Sequence, residues 1–321
     1  MNDNFFGGVL VPDGRVIFTP RNAGVVGIFN PSTNAYTTAG SGIESYAYLG
    51  GVLLPDGRVM FVPGNGTSIG LFNPATNIYS VTATMSPAPG SDAYMGGVVI
   101  PDGRVVLVSY SSVSIGIFTP STNTYSVVPG VTMPGGGAYS GGVLLPDGRV
   151  MFVPRSSSTI GIFNPLGNSG AGSFSTGPST SSAGSFTGGV LLPDGRVVLV
   201  PLGASVIGIF DPAGNGGAGS FSVVPSVTTP GNQVFYGGVL LPDGRVLFIP
   251  SFGSVIGIFN PTTNGYFQIG GMPGNFAYIG GVLLPDGRVV FVPNNATTIG
   301  LYLSNTPAPK EFCLHPFFNK F

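Results

Sequence analysis

The sequence predicts an all-β protein, a single seven-bladed β-propeller, and three observations carry that prediction. A Gly-Gly pair recurs at Gly7, Gly50, Gly96, Gly141, Gly188, Gly237 and Gly280, at intervals of 43 to 49 residues. Each pair leads into Pro-Asp-Gly-Arg, from Pro12 to Pro285, and then at constant distance into an Ile-Gly or Val-Gly step. No stretch supports a helix of useful length, because Gly and Pro interrupt every window.

The copy that runs from Gly50 to Met95 shows how each element is built. Gly50–Leu54 reads as a first strand and Arg58–Val62 as a second, joined by Pro55-Asp56-Gly57. Proline presets φ for a turn, Asp tolerates the next position and Gly accepts positive φ, so this is a tight hairpin. Ile69–Phe72 is the third strand, stopped by Asn73-Pro74, and Thr76-Asn77 turns the chain into a fourth, Ile78–Val81. The strands are short, rich in β-branched and aromatic residues, and apolar on both faces, as sheets packed between other sheets require. A four-stranded unit of this length is the signature of a propeller blade. The repeats start near residues 5, 48, 94, 139, 186, 235 and 278, so residues 1–304 are expected to form the ring and 305–321 a divergent tail. After Tyr302-Leu303 the Asn-Pro turn is missing. The last blade is therefore expected to be incomplete, or closed by Glu311–Leu314 of the tail.

Leu145-Pro146-Asp147-Gly148-Arg149-Val150 and Asn260-Pro261-Thr262-Thr263-Asn264-Gly265-Tyr266 resemble the kelch and galactose-oxidase type of propeller repeat, over residues 5–303. The likeness of the copies to one another also resembles repeat proteins of large algal viruses and microbial eukaryotes. Two features depart from the kelch pattern. Val153-Pro154 stands where that repeat ends its second strand on Gly-Gly, and Tyr or Phe replaces its fourth-strand Trp. The copper chemistry of galactose oxidase does not carry over, since its histidine ligands have no counterparts here.

Composition limits the chemistry. Only 7% of residues are charged and the net charge is −1, which disfavours a nucleic-acid partner. Fourteen of the 23 acidic and basic residues are the Asp and Arg of the seven hairpins. The remaining nine offer no convergent acid–base pair, and the single histidine, His315, and single cysteine, Cys313, lie in the tail. No catalytic residues, metal or cofactor are expected, and the chain is expected not to be an enzyme. The N-terminus lacks the basic and apolar regions of a signal peptide, and no apolar run reaches membrane-spanning length, so a soluble chain is expected. The compartment is left open.

Two sets of residues are candidates for binding. An aromatic stands two residues before every Gly-Gly, and Tyr48, Tyr94, Tyr139 and Tyr278 are expected to gather near one mouth of the central channel. There they would stack on a ligand, or else pack against the next blade. The loops after the second strands differ in every copy and present Arg21, Asn65, Tyr110, Arg155, Leu202, Phe252 and Asn295 on one face. The expectation is a non-catalytic platform binding a protein or carbohydrate partner through that face, as a monomer or an edge-mediated assembly. The alternatives are a structural coat or virion subunit, or an enzyme using loop residues that no motif reveals.

Overall fold

The computed structural model describes residues 4–180, 185–225, 227–231 and 233–304. Strands account for nearly all of its regular structure, in seven antiparallel sheets. Six sheets have four strands in meander order and the seventh has three: Tyr278–Leu283, Arg288–Pro293 and Gly300–Leu303. The seven-bladed propeller is thus the observed architecture. The proposed closing segment Glu311–Leu314 lies outside the described residues.

The first strand of each blade is innermost. Phe5–Leu10, Tyr48–Leu53, Tyr94–Val99, Tyr139–Leu144, Phe186–Leu191, Phe235–Leu240 and Tyr278–Leu283 stand side by side around the axis, and the last lies against the first. Second strands, and third strands in the first six blades, are almost wholly buried, whereas fourth strands such as Ala35–Ala39 and Ile78–Val81 lie at the exposed rim, as does the seventh blade's third strand, Gly300–Leu303. The core is a series of apolar layers between neighbouring blades. One of them joins Val282 and Val292 of the seventh blade to Val16 and Phe18 of the first.

The Gly-Gly pair makes this crowding sterically feasible. Its first glycine has φ between 73° and 126° in the seven copies, a region costly for any residue with a Cβ. The second glycine meets the preceding blade. A methyl group at Gly142 would lie 2.8 Å from Val108 Cγ2 and 2.9 Å from Val98 Cγ2. Gly8 likewise faces Val292 and Val282 across the point where the ring closes.

The opposite end of each blade is fastened by its hairpin. In all seven, the Arg guanidinium pairs with the Asp two residues earlier at 2.5–2.7 Å. Oriented in this way, the guanidinium reaches into the next blade. Arg15 donates to Asn77 Oδ1 at 2.8 Å, Arg58 to Asn123 Oδ1 at 2.9 Å, and Arg288 to the Pro31 carbonyl of the first blade at 2.8 Å. These hairpins do more than turn the chain; several of them staple one blade to the next. Their Asp and Arg are used within the structure and leave no ring of free ligands. The expanded turns after the fourth and fifth third strands close through short 3₁₀ segments, Asn168–Gly170 and Asn215–Gly217.

Two outcomes follow from this packing. Gly142→Ala is expected to destabilise the ring by about 1–3 kcal/mol in chemical denaturation, as overpacking does; an unchanged midpoint would show that the blades are not in close contact there. The second outcome concerns acid. Burial alone would raise the carboxyls of Asp56, Asp102, Asp147, Asp243 and Asp286, but hydrogen bonds and charge from their arginines outweigh it and hold them below the usual range. At Asp194 the Arg196 hydrogen bond is itself the larger effect. Carboxyls lowered in the folded state stabilise it above their unfolded pKa, and that contribution is lost as pH falls through the folded value. The melting temperature should therefore be flat from neutral pH to about pH 5 and drop below about pH 4. An acid limb absent in wild type, or unchanged in an Asp56→Asn, Asp147→Asn, Asp286→Asn variant, would contradict the staple.

Candidate functional site

The channel mouth on the variable-loop face is a pocket of about 430 Å³, within the usual range for small-molecule sites. Five of the seven residues that precede a Gly-Gly pair line its floor, and the other two, Ser140 and Thr187, lie beside it outside the lining. In the seven copies this position is Phe6, Leu49, Met95, Ser140, Thr187, Tyr236 and Ile279, a different residue every time. All seven are at most 7% exposed. Phe6, Leu49, Met95, Tyr236 and Ile279 form an axial cluster with Leu202, against which Tyr110 packs. Phe6 meets Tyr236 edge to face at 5.4 Å.

A polar cluster adjoins this floor. Ser140 Oγ lies 3.1 Å from Thr187 Oγ1 and donates to Met95 Sδ at 3.0 Å, and the Tyr236 hydroxyl donates to the same sulfur at 3.2 Å. Burial pushes the Tyr236 phenol up, only partly offset by the Arg155 charge and by hydrogen bonds with Thr187 and Ser140, so it remains a neutral donor.

The walls come from two kinds of loop, supplied by different blades. The loop after the second strand contributes Arg21, Tyr110, Arg155 and Asn294 at one shared repeat position, and Asn22 and Asn295 next to it. The loop entering the first strand contributes Tyr46, Asp92, Gln233 and Phe276. These four occupy one repeat position and have φ of 57°, 45°, 59° and 55°, the left-handed region, where Gly137 stands in the fourth blade. Side chains with a Cβ are disfavoured there by about 1 kcal/mol or more. Hydrogen bonds on both sides hold the conformation. Tyr46 N donates to the Arg21 carbonyl of the preceding blade, and its own carbonyl accepts from Asn65 N of its own blade; Gln233 repeats the pattern with Leu202 and Phe252.

The loop residues chosen from the sequence divide into two groups. Arg21, Tyr110, Arg155 and Asn295 line the pocket, and Leu202 lies beneath it in the axial cluster. Asn65 and Phe252 stand outside the lining, where Asn65 Oδ1 accepts from Asp92 N at 2.7 Å and Phe252 meets Phe276 edge to face at 5.2 Å.

Tyr48, Tyr94, Tyr139 and Tyr278 are not at the channel mouth. They are at most 3% exposed and pack in the layer between their own blade and the preceding one, the neighbouring-blade packing that was the alternative expectation. The Tyr48 and Tyr94 hydroxyls bond the fourth-strand Tyr79 and Tyr125 at 2.6 and 2.7 Å. Tyr139 meets Phe174 at 6.0 Å, and Tyr278 meets Phe291 at 5.6 Å. The physical reason is a bulge at the Gly-Gly pair: Tyr48 pairs with Pro63 but Gly51 with Phe61, three residues against two. That extra residue turns the aromatic into this layer and sends its neighbour to the axis.

If the left-handed side chains serve the pocket rather than the fold, Gln233→Gly should leave stability within about 1 kcal/mol of wild type, or raise it. A larger loss in a thermal melt would make Gln233 structural.

Among the described residues no group of three or more His, Cys, Asp and Glu is placed to hold a metal ion, and no helix is long and apolar enough to cross a membrane. No protein-family model and no curated protein matches the chain, so the kelch and algal-virus resemblances assign it to no family. Solved structures do resemble it. A streptogramin B lyase superposes with a TM-score of 0.75 at 18% identity, covering 94% of each chain. A catalytically inactive histidine-to-alanine variant of virginiamycin B lyase from Staphylococcus aureus, with quinupristin, gives 0.72 at 18%, again covering 94% of each. A fungal alcohol oxidase of the AA5 family, in complex with copper, gives 0.69 at 12%, over 99% of this chain and 77% of the other. These neighbours correct the expectation that the chain is not an enzyme. The same architecture carries lyase activity, and catalytic groups set on separate loops leave no compact motif from which their absence could be inferred. At these identities the likeness is one of fold, and the chain is a seven-bladed propeller.

Proposed function

We propose that the protein is a propeller platform that takes part of a protein or glycan partner into the axial pocket of its variable face. The observation that supports this most is convergence. Three repeat positions that differ between copies, one from the inner strand and two from its flanking loops, all meet at this pocket. The opposite face, by contrast, carries the same Pro-Asp-Gly-Arg hairpin seven times. Aromatic walls among adaptable amides and arginines are the composition binding surfaces favour.

A second reading, that the ligand is also transformed, has the lyase neighbours in its favour. The groups lining the pocket that could move a proton are Asp92 and the phenols of Tyr46, Tyr110 and Tyr236.

The test is recovery of a partner by the intact protein, from lysate and on a glycan array, with mass analysis of any bound molecule for turnover. Tyr110→Ala with Arg155→Ala should reduce recovery at least 10-fold without altering the melt, while Leu166→Ser, 80% exposed on the hairpin face, should leave it intact. Recovery that survives the pocket changes but not Leu166→Ser would place the function on the other face.

A further inference from the structure

We infer that the axial pocket receives an oxyanion, a carboxylate or phosphate, carried on an apolar or aromatic body. This inference rests on the pocket being the binding site and specifies what it takes. The charge distribution is the first argument. Outside the hairpins the described residues include five charged side chains, Arg21, Glu44, Asp92, Arg155 and Asp211, and three of them line this pocket. Two arginines against one aspartate give the pocket a formal charge of +1, in a chain whose net charge is −1.

The second argument is how the arginines are held. Every hairpin arginine is paired with a carboxylate, but among the described residues neither Arg21 nor Arg155 forms an ion pair. Aromatic rings hold them instead. The Arg21 guanidinium carbon lies 4.8 Å from the Tyr46 ring centre and 5.6 Å from that of Phe6; in Arg155 it lies 5.1 Å from Tyr110. Contact through the faces of these rings fixes a guanidinium plane without using up its N–H fork, which matches a carboxylate or phosphate edge. Among the described residues Arg155 Nη1 has only the weak Met95 sulfur, at 3.8 Å.

The third argument is an orphan. Arg21 Nε is buried and has no acceptor among the described residues. A charged donor left in this way is costly and calls for a partner that the described residues do not supply. The apolar part of the floor, Phe6, Leu49 and Ile279, has no use for a bare ion and suits a hydrophobic body attached to the charge. Asp92 disfavours a second negative charge and favours a ligand that also carries a hydrogen-bond donor.

The experiment is isothermal titration of the full-length protein with four probes: phenylacetate, phenyl phosphate, neutral 2-phenylethanol and inorganic phosphate. Phenylacetate or phenyl phosphate, or both, should bind at least 10-fold more tightly than 2-phenylethanol. Comparing these two identifies the preferred oxyanion, and inorganic phosphate should bind more weakly than phenyl phosphate. Arg21→Gln and Arg155→Gln should each weaken the preferred probe about 10-fold with an unchanged melt. Equal binding of 2-phenylethanol, or indifference to both arginine changes, would overturn the inference. Should Arg21→Gln unfold the ring, Arg155→Gln and the neutral probe still decide. Loss of partner recovery in the Tyr110, Arg155 variant without anion preference would leave the platform standing and remove the oxyanion. Arginine-dependent anion binding alongside unaffected partner recovery would do the reverse.

Discussion

The close approach of inner strands at the second glycine of each Gly-Gly pair is the contact on which the rest of the ring depends. Seven strands stand around one axis only if each can press its backbone against the β-branched side chains of the blade before it, as Gly142 does against Val98 and Val108 and Gly8 against Val282 and Val292. The same contact recurs where the last blade meets the first. Among the described residues the ring therefore closes by packing, with the Arg288 hairpin reaching Pro31 as a second fastening, and no strand is shared between the ends. Each blade buries two apolar faces against its neighbours, and closing the ring gives the first and last blades the neighbours they need.

That packing also determines what can vary. The glycines, the valines and the blade-filling aromatics all face neighbours common to every copy, and they stay nearly constant along the chain. The residue just before each glycine pair faces the axis, where seven side chains meet in one small volume. Seven identical large residues would collide there, and seven identical small ones would leave a hole. A mixed set fills an irregular floor, and above it the loops hold Tyr46, Asp92, Gln233 and Phe276 in a backbone conformation that the fold alone gives no reason to impose on non-glycine residues.

Much of this was legible in the sequence because the signals are local. Pro-Asp-Gly-Arg specifies a hairpin and Asn-Pro-x-Thr-Asn a turn within a few residues, and their constant spacing implies the blade. The candidate site was legible only in part. Arg21, Tyr110, Arg155 and Asn295 stood out as copy-specific loop residues, but the tyrosines two residues before Gly-Gly were expected at the channel mouth. Strand alternation without the bulge gives that assignment, and the bulge shifts it by one residue. Difference between copies would have corrected it: Phe6, Leu49, Met95, Ser140, Thr187, Tyr236 and Ile279 share no residue type, whereas the tyrosines are replaced only by phenylalanine. The left-handed φ values and the inter-blade reach of the hairpin arginines depend on contacts between distant parts of the chain, and no local pattern announces them.

The central claim is that the axial residues serve a site while the glycines beside them serve the ring. A substitution library covering both positions in all seven copies, selected for resistance to protease, measures this directly. The second glycines should accept almost nothing, and each axial position should accept most of the residues found at the other six. Axial positions as intolerant as the glycines would mean that the varied residues are specific packing, and the account of the pocket as a site would be wrong.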